Sequence, residues 1–176
     1  MEPTWQGTIH VAVPIEDTYR YLADIPRHAD WSQTVERQEQ LKPGDARGVG
    51  AVYLTHERQA FQSDRQPHQP LTKGFKAKTI CEVRELEPNR RIAWHSHPKP
   101  RMGVQSDWII ELAPADDGGT LVTQSCRFQE NAFARLLSKA MRVTPEKSAA
   151  QWNASLRNIK QVLEHGAGAA RHSNAA

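Results

Sequence analysis

Glu57 stands in an alternating segment whose period turns it toward the interior, and a carboxyl held there can act as acid or base in an enolisation or a dehydration. Tyr53, four residues earlier on the same face, adds a phenol able to donate to a carbonyl oxygen. The competing reading is that Glu57 lies near its strand's end, where it reaches water or pairs with an arginine. Period-two logic turns Thr55, Phe75, Cys81, Trp94, Ser106, Trp108, Ile110, Gln124 and Phe128 the same way, and a terminal helix adds Trp152, Leu156 and Ile159. That lining is large, aromatic and sparsely polar. It suits a lipid-like or polycyclic guest held by aromatic walls and oriented by a few hydroxyl and amide groups, and it also suits a core filled by its own side chains.

Other chemistries find less support. His95-Ser96-His97 puts two imidazoles on one strand face without an evident third ligand, so no metal is expected. Cys81 and Cys126 sit singly inside strand patterns and are expected to be free, buried thiols. No inward Arg, Lys or His is placed to polarise a carbonyl, which leaves catalysis open. Gly48-Val49-Gly50 enters a strand and not a helix, so it makes no phosphate loop, and no cofactor is expected.

These side chains need a sheet and one helix to position them. Residues 4–13 alternate as a first strand ended by Pro14, and Ile15, Tyr19 and Leu22 then keep helical spacing. Asp24-Ile25-Pro26 restarts a second short helix before Trp31. Turn residues at Pro43-Gly44-Asp45, Glu87-Pro88-Asn89, 98–103 and 116–119 separate strands expected at 33–42, 49–60, 73–86, 91–97, 103–113 and 120–129. Residues 62–72 read as a long loop, either a lid or a plain excursion. Residues 131–142 read as a helical lead-in. Thr144 then caps a helix with Pro145 as its first residue, and Trp152, Leu156, Ile159 and Leu163 form its apolar stripe. A sheet of alternating strands must cover one face, and this is the only sizeable helix available to do it.

The 176 residues fit one domain over 1–165, with 166–176 a patternless, flexible tail. A hydrophobic content of 38% and a mean hydropathy of −0.69 favour a sheet wet on one side. The net charge of +3 is interspersed without a basic run, which argues against nucleic acid. No window approaches a membrane span and the first residues carry no export signal, so a cytoplasmic protein, monomer or homodimer, is the expectation.

The opening strand and helix, Thr8-Ile9-His10-Val11-Ala12-Val13-Pro14 followed by residues 15–24, resemble those of the START/Bet v 1-like (SRPBCC) superfamily, in particular its polyketide cyclase/dehydrase-like members. So do Trp31, Arg91-Ile92-Ala93-Trp94, Gly119-Thr120-Leu121-Val122-Thr123 and residues 155–164. The resemblance implies an α+β helix-grip fold: a seven-stranded curved antiparallel sheet, two short helices after the first strand, and a long C-terminal helix across the concave face. It implies no single chemistry, because the superfamily holds carriers, quinone-binding proteins and cyclases. The leading expectation is binding or carriage of a lipid, quinone or polyketide-like molecule between sheet and helix. A cyclase or dehydratase using Glu57 and Tyr53 is the alternative, and a protein-interaction module a third. An empty pocket of about 300 Å³ would cost about 7 kcal/mol at about 24 cal/mol per Å³. Such a space should therefore hold water or ligand.

Overall fold

The computed structural model describes residues 2–59, 63–100, 103–129 and 144–173, so the lead-in expected at 131–142 lies outside the described residues. Strand β1 (Trp5–Val11) stops before Pro14, whose fixed backbone opens α1 (Ile15–Leu22). Glu16 and Asp17 in the first turn and Arg20 in the last suit that helix's dipole. A single 3₁₀ turn (Ile25–Arg27) and the one-turn helix α2 (His28–Trp31) follow. Then come β2 (Val35–Lys42), β3 (Val52–Gln59), β4 (Phe75–Glu87), β5 (Arg91–Pro98), β6 (Gln105–Pro114), β7 (Thr120–Gln129) and the long helix α3 (Pro145–Ser173).

The strands form one antiparallel sheet in the order β1-β7-β6-β5-β4-β3-β2. From β2 to β7 it is a meander, and α1 and α2 carry the chain from β1 at one edge to β2 at the other. Register shifts at Val35/Arg37, Gln40/Lys42 and Val83/Glu85 insert bulges, which bend strands and deepen the curvature. This is the α+β helix-grip arrangement expected from the sequence.

Every inward set read from the alternation shares one face. Tyr53 pairs with Cys81, Cys81 with Ser96, Ser96 with Ser106 and Ser106 with Phe128. A second row runs Val83, Trp94, Trp108, Cys126, Trp5. The α3 helix lies over the β1 end of this face and against α2. Thr144 caps it as expected, its Oγ1 accepting from Lys147 N at 3.3 Å. Leu156, Ile159 and Leu163 are buried and Trp152 partly so. Its backbone runs on as helix to Ser173, through most of the segment the sequence reading left patternless.

Gly7 is a point of close approach between helix and sheet. A Cβ there would lie 2.7 Å from Leu156 Cδ1 and 2.8 Å from Trp5 Cζ2. A glycine inside a strand here marks close approach of another element. Gly7→Val is expected to cost about 1–3 kcal/mol by overpacking, read as a lowered urea midpoint at unchanged slope. An unshifted midpoint would mean that α3 yields freely.

Candidate functional site

Beneath α3 the concave face is aromatic. The Trp94 and Trp108 rings stack with centroids 6.1 Å apart, Trp108 meets Phe128 edge-on at 6.0 Å, and Trp152 from α3 lies 5.2 Å from Phe128. Trp5 closes the group 5.4 Å from Trp152. These spacings are those of rings in mutual contact, so here the side chains fill the space between helix and sheet. Ile110, Leu156 and Ile159 are packed in the same core.

At the other end of the array lies His28, 3% exposed, its ring 4.8 Å from Trp31 and 4.9 Å from Trp94. Its Nε2 donates to the Leu22 carbonyl at 3.2 Å, so Nε2 carries the proton of a neutral ring. Burial pushes this imidazole down to about 4, against the smaller opposing effects of the Leu22 hydrogen bond and Asp24.

The polar groups cluster toward β3 and β4. Glu57 Oε1 accepts from Thr79 Oγ1 at 2.9 Å and Oε2 from Gln59 Nε2 at 2.5 Å. Among the described residues no cation pairs with Glu57, so the arginine partner is not seen; the carboxyl is half-buried, two residues from the end of β3. Burial raises its carboxyl above the ordinary glutamate value, while the donors from Thr79 and Gln59 pull the other way. Thr55 Oγ1 donates to Gln38 Oε1 at 3.3 Å, Gln40 Nε2 to the Tyr53 hydroxyl at 3.4 Å, and Trp108 Nε1 to Ser106 Oγ at 2.9 Å. Gln124 is 3% exposed, yet its Oε1 has no partner among the described residues. Both cysteines are free and buried, their thiols pushed up to about 12 mainly by desolvation, so neither is a thiolate nucleophile near neutral pH. Phe75 shares the inward register but, as the first residue of β4, is 48% exposed at the rim.

Open volume lies beside the aromatic array. A recess of about 520 Å³, open to solvent, sits between α1, the β2–β3 connection and the inner face of β3 and β4. Tyr19, Ala23, Ile25, Tyr53, Val83 and Leu86 make its apolar surface, with Arg20 and Arg47 among the polar residues around it. Of the ligand-contacting residues expected from the sequence, Tyr53 lines this recess. Burial raises its phenol above the ordinary tyrosine value.

Sequence reasoning missed the polar lock that seats α2, α3 and the 63–72 segment on one another. Arg65, 7% exposed, donates through Nε to Gln69 O at 2.8 Å and through Nη2 to Ala29 O at 2.8 Å. Its Nη1 donates to Ser32 O and, at 3.3 Å, to Val35 O. The Arg65 carbonyl accepts from Gln33 Nε2 at 2.8 Å and Asn158 Nδ2 at 2.9 Å, and Asn158 also reaches Trp31 O at 3.1 Å. With Leu71 buried as well, the described part of this loop is pinned down and does not act as a free lid. The readable clue was Asn158, a polar residue inside an apolar helical stripe that must find partners there. On the convex face, His95 and His97 lie as expected, with His95 Nδ1 2.8 Å from Asp107 Oδ1.

Comparison with known proteins bears on this arrangement. The family model for polyketide cyclase/dehydrase and lipid transport matches residues 3–164. Among solved structures, protein CV1439 from Chromobacterium violaceum is 21% identical, covering 91% of this chain and 96% of its own, at a TM-score of 0.62. The Zhui aromatase/cyclase from Streptomyces sp. R1128 is 19% identical, covering 90% and 93%, also at 0.62. At these identities the likeness is one of fold. No curated protein matches the chain. No helix among the described residues is long and apolar enough to cross a membrane.

Proposed function

Because the chain belongs to the polyketide cyclase/dehydrase and lipid transport family, we propose that it binds or carries a hydrophobic small molecule, a lipid, quinone or polyketide-like compound, on its concave face. The observation that carries this reading is the 520 Å³ recess at Tyr53, within the roughly 300–1,000 Å³ of small-molecule sites. Its apolar surface from α1 and β4 would hold the body of the guest, and the Tyr53 hydroxyl would orient a polar end. Thr55 and Gln124 are the further orienting groups. Of the other residues expected to contact a ligand, Trp94, Ser106, Trp108, Ile110, Phe128, Trp152, Leu156, Ile159 and Cys81 do not line this recess, and Phe75 lies at the far end of β4 from Val83.

The test is a panel of fatty acids, ubiquinones and polyketide-like aromatics, titrated by tryptophan fluorescence and followed by native mass spectrometry. One class is expected to bind at micromolar affinity, about −8 kcal/mol. Ala23→Phe, which fills the recess from the end of α1, should weaken it at least about tenfold. A full panel without binding, and protein from its host carrying no apolar molecule, would end the carrier reading.

Glu57 supports a second reading, a cyclase or dehydratase. An inward carboxyl with no cation beside it among the described residues and a raised pKa suits proton transfer, and Tyr53 stands about 13 Å away along the strand at about 3.3 Å per residue. The two would serve different ends of an extended substrate. Glu57→Gln is expected to retain ligand affinity while lowering turnover of a poly-β-ketone by about 10²–10⁴. Unchanged turnover would remove Glu57 from any mechanism. For the protein-interaction reading, the exposed large apolar residues Leu41, Phe75 and Leu121 sit on three different strands and supply no contiguous patch among the described residues.

A further inference from the structure

The convex face carries a second recess, away from the family's concave site. A groove of about 640 Å³ runs across β2, β3 and β4 to the Pro98–Pro100 segment. Register makes a cationic row of it. Arg37 lies opposite His56 and His56 opposite Lys78, while Lys99 N donates to Lys78 O at 2.9 Å. Lys76 stands one step along the same face, opposite Arg58.

The acids nearby are already engaged by the arginines. Glu39 pairs with Arg37, and Glu36 with Arg58 at 2.5 Å. Lys76, Lys78 and Lys99 have no carboxylate partner among the described residues. Like charges set directly opposite in a sheet are destabilising, as Lys76 and Arg58 are here. His56 lies inside this field. Its Nδ1 is 3.5 Å from Arg37 Nη2, and its Nε2, buried and 3.4 Å from Glu39 Oε1, makes no hydrogen bond. Burial, then Arg37 and Lys78, hold its imidazole below the ordinary histidine value, with Glu36 pulling weakly the other way.

We propose that this groove binds the diphosphate end of a soluble small molecule, with the phosphates bridging Lys76, Lys78 and Lys99. Multiply charged phosphate oxygens are the acceptors suited to three exposed lysines that line one groove without carboxylate partners among the described residues. The aliphatic stems of the lysines, with Pro100, form an apolar edge for the rest of the ligand. The recess is concave and of small-molecule volume, which suits a soluble compound and not a flat bilayer surface.

The probe is inorganic pyrophosphate, titrated into the full chain and followed by NMR at a constant ionic strength of about 100 mM, where charges act over about 10 Å. Saturable binding is expected, with shifts confined to the convex ends of β2–β5 and a rise in the His56 pKa as the anion offsets Arg37 and Lys78. Lys78→Glu with Lys99→Glu should weaken binding at least about tenfold. Arg90→Glu, in the exposed β4–β5 turn, should leave it unchanged. No saturation below about 10 mM, or equal weakening by Arg90→Glu, would overturn the proposal. So would binding to phosphatidylglycerol vesicles in the absence of any pyrophosphate binding.

Discussion

Arg65→Met is expected to lower folding stability by about 3–5 kcal/mol, because several charge-assisted hydrogen bonds to backbone carbonyls are lost together. Methionine keeps the length and apolar stem of arginine but withdraws the donors that reach Ala29 O, Ser32 O, Val35 O and Gln69 O. Hydrogen bonds from a charged donor contribute about 1.5–3 kcal/mol each, and the carbonyls of the buried Ser32 and Val35 are left without that donor. Release of the guanidinium's own desolvation cost offsets part of the loss. Urea unfolding measures the difference. Arg65→Lys should recover less than half of it, because a compact ammonium cannot serve carbonyls spread around a planar fork. A midpoint unchanged in Arg65→Met would show that the 63–72 segment is a loose excursion after all.

Acid should unfold the protein through His28. With a folded pKa of about 4 and an unfolded value of about 6.5, the neutral ring stabilises the native state fully above the unfolded value. That stability is lost as pH falls from about 6.5 to about 4, and over this interval it amounts to roughly 3 kcal/mol. His28→Gln keeps a donor for the Leu22 carbonyl without a titrating ring, so its stability should be flatter across that window by a similar amount. Glu57 works in the opposite sense. Its raised carboxyl favours the neutral form, so its contribution is present at low pH and lost as pH rises through the folded pKa. Urea midpoints of wild type and His28→Gln at pH 7, 5.5 and 4 separate the two. Parallel curves would place the acid-sensitive group elsewhere.

Much of the concave face was legible because side-chain direction in a strand is a local property. Once Ile9 and Val11 are turned inward, antiparallel pairing carries the assignment from strand to strand, and Tyr53, Cys81, Trp94, Trp108 and Gln124 fall on the shared face. The cap at Thr144 was equally readable, since a cap needs only its own first turn. The partners of Glu57 were not. Its neighbour Thr79 is brought up by strand pairing over a span of 22 residues, and whether an arginine or a hydroxyl stands there depends on register and on side-chain reach.

The sequence by itself determined the strand alternation, the helix order and therefore the kind of layer that must cover the sheet, because these follow from periods of 2 and 3.6 residues and from turn chemistry. Tertiary structure alone decided where the room lies. Aromatic rings from β1, β6, β7 and α3 converge and occupy the space under the helix, while open volume remains beside Tyr53 against α1. It also decided that His28 sits neutral between two tryptophans and that Arg65 holds four backbone carbonyls. Those outcomes depend on which distant surfaces meet, and packing density and hydrogen-bond satisfaction are settled only when they do.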